Sequence, residues 1–111
     1  MNEWAVVYTE QAERDLRSIF EYIAFPLLEL EIAKNQSQRI MDAIAKLNEM
    51  PLRYHLYEKE PWHSKGLRVL PIDNFLVFYL PVEAKTTVAV IRIMYSGRDI
   101  EEQLRHTETG G

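Results

Sequence analysis

The amino-acid sequence predicts an α+β fold of order β-α-α-β-β-β-α. In it a helical hairpin packs on a small, twisted, mainly antiparallel sheet. Three observations predict this. Residues 86–95 form a β-branched apolar run broken by one arginine, which suits the centre of a sheet. The first half holds two stretches of helical apolar spacing separated by Pro26. In the second half, short apolar runs alternate with turn signals, as in an antiparallel meander.

Taken in order, Trp4 to Tyr8 is a compact apolar strand. Thr9 is a good helix N-cap, and Glu10 suits the first turn of the helix that follows. Ala12, Leu16, Ile19, Phe20 and Ile23 give that helix one apolar face, and Pro26 stops it near Phe25. A second helix is expected over Leu28 to Asn48, with Leu30, Ala33, Ile40, Ile44 and Leu47 inward. The short link makes the pair an antiparallel hairpin. Met50 to Lys65 shows no period. Leu67 to Ile72 reads as a strand, Asp73-Asn74 as a turn, and Phe75 to Leu80 as the next strand. Pro81 to Lys85 turns the chain into the last strand, which ends at the Ser96-Gly97 corner before a short helix opened by Arg98-Asp99. Strict alternation along that strand would put Val88, Val90, Arg92 and Met94 on one face, and Ala89, Ile91, Ile93 and Tyr95 on the other.

A chain of 111 residues makes one domain, here residues 1–105, with 106–111 expected as a flexible tail. Its 13 Lys+Arg against 17 Asp+Glu give a formal charge of −4, which weighs against a large nucleic-acid surface. Without cysteine there are neither disulfides nor thiolate metal sites. The three histidines lack metal-site spacing and no Gly-rich phosphate loop occurs, so no cofactor is expected. No apolar run is long enough to span a bilayer and no leader opens the chain, so the expected location is the cytoplasm.

The final strand delivers Arg92, Tyr95 and Arg98 near its exit, a compact way to build a site. Each has a plainer reading. A lone arginine in an apolar strand needs a partner, and Asp99 or Glu102 would let it anchor the last helix. Asp99 fits a helix start, and Tyr95 fits a half-buried ring with its hydroxyl at the rim. His55 and His63 belong to a polar loop. Tyr54, Tyr57 and Trp62 could stack on bases, or simply anchor that loop.

With this order in place, several stretches together resemble the RelE/ParE family of bacterial type II toxins. They are the opening strand with Thr9-Glu10-Gln11-Ala12, the hairpin end Ile44-Ala45-Lys46-Leu47 before Pro51, Arg68-Val69-Leu70, Phe75-Leu76-Val77-Phe78-Tyr79, and Arg92-Ile93-Met94-Tyr95-Ser96-Gly97-Arg98-Asp99. The last is the most specific. The resemblance implies a growth-arresting toxin held inactive by a cognate antitoxin. One branch of the family cuts mRNA in the ribosome, and the other poisons DNA gyrase by binding it. Metal-independent RNA cleavage needs a group to take the 2′-hydroxyl proton, cations to neutralise the phosphorane, and an acid for the leaving oxygen. Arg68, Arg92, Tyr95 and Arg98 are the candidates, with His63 and Lys65 behind them. Against cleavage, Leu76 and Met94 stand where nucleases of the family carry an arginine and, in some, a histidine. The acidic balance and the long hairpin also favour the gyrase branch. The expectation is therefore a gyrase-binding toxin, with a ribosome-dependent endoribonuclease as the alternative and a degenerate toxin retaining only antitoxin binding as a third reading.

Overall fold

The computed structural model describes residues 3–97 and 99–107. Strand β1 (Ala5–Tyr8) leads into helix α1 (Glu10–Ala24), and helix α2 (Leu30–Ala45) returns antiparallel to it. A 3-10 turn at Lys46–Asn48 extends α2 close to its expected end. Strands β2 (Arg68–Ile72), β3 (Phe75–Val82) and β4 (Thr87–Tyr95) form the meander. Between the hairpin and β2 lie a 3-10 turn at Pro51–Arg53 and a one-turn helix, α3 (Trp62–Lys65); helix α4 (Ile100–Arg105) follows β4.

The sheet order is β1-β4-β3-β2, with β1 parallel to β4 and the other pairs antiparallel. The first strand thus joins a non-sequential neighbour, and the last strand is central. Thr9 makes this junction. Its hydroxyl accepts from the Ala12 amide at 3.2 Å and donates to the Val90 carbonyl at 2.9 Å, so the cap of α1 is fastened to β4.

The sheet is covered on both faces. On one, Ala12, Ile40, Ile44 and Leu47 of the hairpin segment pack on Leu70, Val77, Tyr79, Val88, Val90 and Ile93. On the other, Trp62, Leu67, Phe78, Ile91, Met94 and Leu104 form a second core, roofed by the 57–66 segment and α4. Sequence periodicity predicts only the first of these layers.

One expectation is corrected by a bulge. Phe78 pairs with Arg92, but Tyr79 pairs with Val90, so Ile91 is an extra residue in β4. Before it, Val88 and Val90 face the hairpin; after it, Ile93 does, while Ile91 and Met94 belong to the second core. Alternation is therefore broken at Arg92, the position on which the site argument turns. Among the described residues, no helix is long and apolar enough to cross a membrane.

Candidate functional site

A cleft of about 720 Å³ opens between the far end of the hairpin and the C-terminal end of β4. Asp15, Ser18 and Tyr22 line it from α1, Gln36 from α2, Asn74 and Phe75 from the β2–β3 turn, and Arg92 and Tyr95 from β4. The cleft exists because β1 stops at Tyr8, opposite Val90, and leaves the last part of β4 without a neighbour on that side.

Asp15 occupies this open edge. One of its oxygens accepts from the Ile93 amide at 2.9 Å, where a strand partner would otherwise stand. The same carboxylate takes two bonds from Arg92, Nε to Oδ2 at 2.6 Å and Nη2 to Oδ1 at 3.0 Å. Arg92 also donates through Nη1 to the Gln103 carbonyl at 3.2 Å and the Thr107 hydroxyl at 3.0 Å. Arg92, 8 % exposed as a residue, thus has a bidentate carboxylate and two further acceptors for its guanidinium. Arg92 does anchor the last helix, but through a backbone carbonyl; its carboxylate partner is Asp15, not Asp99 or Glu102. Asp99 instead caps α4, accepting from the Glu102 amide at 3.2 Å, and Glu102 pairs with Arg105 at 2.7 Å.

Tyr95 reaches the cleft mouth and is 51 % exposed, with its ring edge-on to Phe75 at 5.9 Å. Gly97 has a packing reason to be glycine, since a Cβ there would lie 2.5 Å from Cε2 of the Tyr95 ring. The Tyr-x-Gly spacing is thus a backbone passing closely over an aromatic edge, beyond the sharp turn that the sequence suggests.

The other candidates lie elsewhere. Arg68 donates to the Leu52 and Tyr54 carbonyls at 3.0 and 2.6 Å, tying down the segment after the hairpin. Its register partner Tyr79 is in the hairpin-side core, whereas Phe78, the partner of Arg92, is in the second core. The two guanidiniums therefore leave the sheet on opposite faces. His63 and Lys65 sit on α3, where His63 faces Glu60 at 3.8 Å and the Lys65 ammonium lies 5.1 Å over the Trp62 ring. Arg98, and residues 108–111 of the expected tail, lie outside the described residues. So Arg92 and Tyr95 both line the cleft, whereas Arg68, His63 and Lys65 do not. Among the described residues lining the cleft, Arg92 is the single cation.

Among the cleft residues that escape the sequence reading are Asp15 and Tyr22. A signal exists for both. Asp15 sits three residues after Ala12 and four before Ile19, inside the apolar stripe of α1, and Tyr22 is two turns further on. A carboxylate within such a stripe requires a buried partner. Leu76 and Met94, the two departures from the nuclease pattern, both pack in the second core.

This architecture defines a class, the small α+β toxins of the RelE/ParE fold, and solved structures of that class are similar along most of the chain. A chain of the chromosomal ParDE toxin–antitoxin system from P. aeruginosa superposes with a TM-score of 0.70 at 21% identity, over 84% of this chain and 96% of that one. One from the RelBE2 toxin–antitoxin complex of Mycobacterium tuberculosis gives 0.59 at 22%, over 86% and 93%. A mutant E. coli toxin RelE in the free state gives 0.61 at 11%, over 91% and 92%. A comparison with curated protein sequences yields no significant match. The model of the family described as ParE toxin of type II toxin–antitoxin system, parDE, matches residues 6–100, and the chain belongs to that family.

Proposed function

We propose that this toxin arrests growth by binding and inhibiting DNA gyrase, and that a cognate antitoxin neutralises it. The observation that carries the reading is the state of Arg92. Its guanidinium is spent on Asp15, Gln103 and Thr107, so the cation best placed for a scissile phosphate is already a structural tie. The apolar character of Leu76 and Met94, which pack in the second core, supports the same reading, because a reacting phosphate gains nothing from them. So does the match to the ParE family model, and the net charge of −4 is unlike that of a chain built to grip RNA. The antitoxin partner follows from the family and from similar chains that come from toxin–antitoxin complexes. The action belongs in the cytoplasm, where gyrase works.

The competing reading is a ribosome-dependent endoribonuclease. A half-exposed Tyr95 that lines the same cleft as Arg92 favours it. It would require Arg68, Arg92, Tyr95 and Arg98 to act together, although Arg68 is committed to two backbone carbonyls.

Two assays on the purified toxin separate the readings. The expected result is loss of supercoiling by purified gyrase, with no new mRNA 5′ ends in a translating extract. Cleavage within A-site codons with supercoiling intact would overturn the proposal in favour of the nuclease. Silence in both, with antitoxin still bound, would leave the degenerate toxin.

A further inference from the structure

We infer that the tip of the helical hairpin is a docking surface for a protein segment whose apolar residues are rimmed by lysine and arginine. The inference is independent of whether gyrase or the ribosome is the target.

The two ends of the hairpin differ in what covers them. At the base, Ala12, Ile40 and Ile44 are fully buried against the sheet. At the tip the small Ala24 and Ala33 are buried, but several large apolar residues stay uncovered among the described residues. Tyr22 is 64 % exposed, Phe25 62 % and Leu28 85 %, with Leu27, Leu30 and Ile32 also exposed. Six large exposed apolar side chains thus fall on one turn and its flanks, a concentration of the kind that marks an interaction site. Backbone geometry adds to this. Leu28 has φ of 54°, a left-handed conformation that a bulky residue rarely adopts.

Charge selects the occupant. Residues 18–33 contain Glu21, Glu29 and Glu31 and no lysine, arginine or histidine, and exposed Arg17 and Lys34 bound the stretch. Among the described residues, none of these three carboxylates forms an ion pair. A second copy of the same tip would set three carboxylates against three, and an anionic lipid surface would be repelled likewise. A polypeptide with an apolar stripe flanked by cations satisfies both features, burying the leucines while its ammonium and guanidinium groups meet the glutamates.

The test uses the purified full chain, isotope-labelled for NMR, and two synthetic amphipathic helices. One is a Leu/Lys peptide, and the other a Leu/Glu peptide of the same apolar pattern. The expected result is saturable binding of the Leu/Lys peptide, with amide shifts centred on residues 21–32 and none from the Leu/Glu peptide. The double variants Phe25→Ser/Leu28→Ser and Glu29→Lys/Glu31→Lys should each weaken binding at least tenfold. Glu58→Lys/Glu83→Lys makes the same change in net charge at exposed sites outside the tip and should leave binding within about twofold. Equal weakening by that control, shifts centred elsewhere, or equal binding of both peptides would overturn the inference. A peptide-free dimer abolished by Phe25→Ser/Leu28→Ser would also overturn it, with a second copy as the occupant. Binding to phosphatidylcholine vesicles with neither peptide bound would do so in favour of a lipid surface.

Discussion

The two faces of the sheet are covered by chain of opposite character. The hairpin face is closed by two regular helices whose apolar residues recur every three or four positions, so its packing is distributed over many small contacts. The opposite face is closed by an aperiodic segment, a one-turn helix and α4, joined to the rest by a few polar ties. One is Arg92 to Gln103 and Thr107, and within the cover itself Lys59 pairs with Glu101. A distributed cover degrades gradually as residues change, whereas a tied cover depends on single groups. The hydrogen-bonded side chains are therefore where the two layers can be told apart.

The largest effect belongs to Asp15, which reaches from the hairpin to the strand edge and neutralises Arg92. Asp15→Ala leaves a buried guanidinium without its counter-charge and the Ile93 amide without an acceptor. The expected loss is about 3–5 kcal/mol, a large part of the 5–15 kcal/mol typical of a domain. Urea unfolding measures it. Asp15→Ala/Arg92→Met should recover most of that loss, because an apolar replacement for a whole buried pair is often close to neutral. In the single variant, hydrogen exchange should rise in α4 before it rises in α2. Uniform loss of protection would mean that the second layer has no separate dependence on this tie.

The same contrast explains what the sequence disclosed. Helix period, the Thr9 cap and the two prolines after the helices identify the hairpin, since each acts within a few residues of itself. The meander was legible from Asp73-Asn74 and alternating apolar residues. What lay hidden depends on pairs distant along the chain. Asp15 and Arg92 are 77 residues apart, and Arg68 meets carbonyls 14 and 16 residues upstream. The bulge at Ile91 arises from pairing with β3 rather than from any local pattern, and it moves side chains across the sheet. Hence Arg92 and Tyr95 could be placed near one exit from sequence, while the position of Arg68 on the face opposite Arg92 could not.

A smaller effect is expected at Tyr79, whose ring lies wholly within the hairpin-side core and whose hydroxyl donates to the Pro51 carbonyl at 2.6 Å. This bond pins the start of the aperiodic segment to the regular layer. Tyr79→Phe leaves a buried carbonyl without its donor and should cost about 1–3 kcal/mol by chemical unfolding. Burial pushes the phenol up from 10.0 to about 12. The native state thus holds this proton more tightly than the unfolded chain does. The corresponding stability is complete below pH 10 and is lost as pH rises from 10 to about 12. Tyr79→Phe should lack that part of the alkaline decline, and an unchanged decline would assign it to other groups.

The smallest effect lies on the hairpin face, where Asp73 ties the β2–β3 turn to α2. Its carboxylate accepts from Arg39 at 2.8 and 2.8 Å and from Gln36 at 3.0 Å. Those bonds, Arg39 first, draw its pKa down from 3.8 to about 2. A depressed carboxylate stabilises the fold above its unfolded pKa, so the contribution is present above pH 3.8 and is lost as pH falls toward about 2. Asp73 has φ of 54°, and asparagine tolerates that conformation, so Asp73→Asn removes the charge without a new backbone cost. Near neutral pH the unfolding midpoint should change little, because both partners are solvent-exposed and water screens the pair. Between pH 4 and 2 the variant should show a flatter loss of stability than the parent. If the two acid profiles superimpose, the turn is held by the apolar contacts of Ile72 and Phe75 alone, and the hairpin face needs no polar tie.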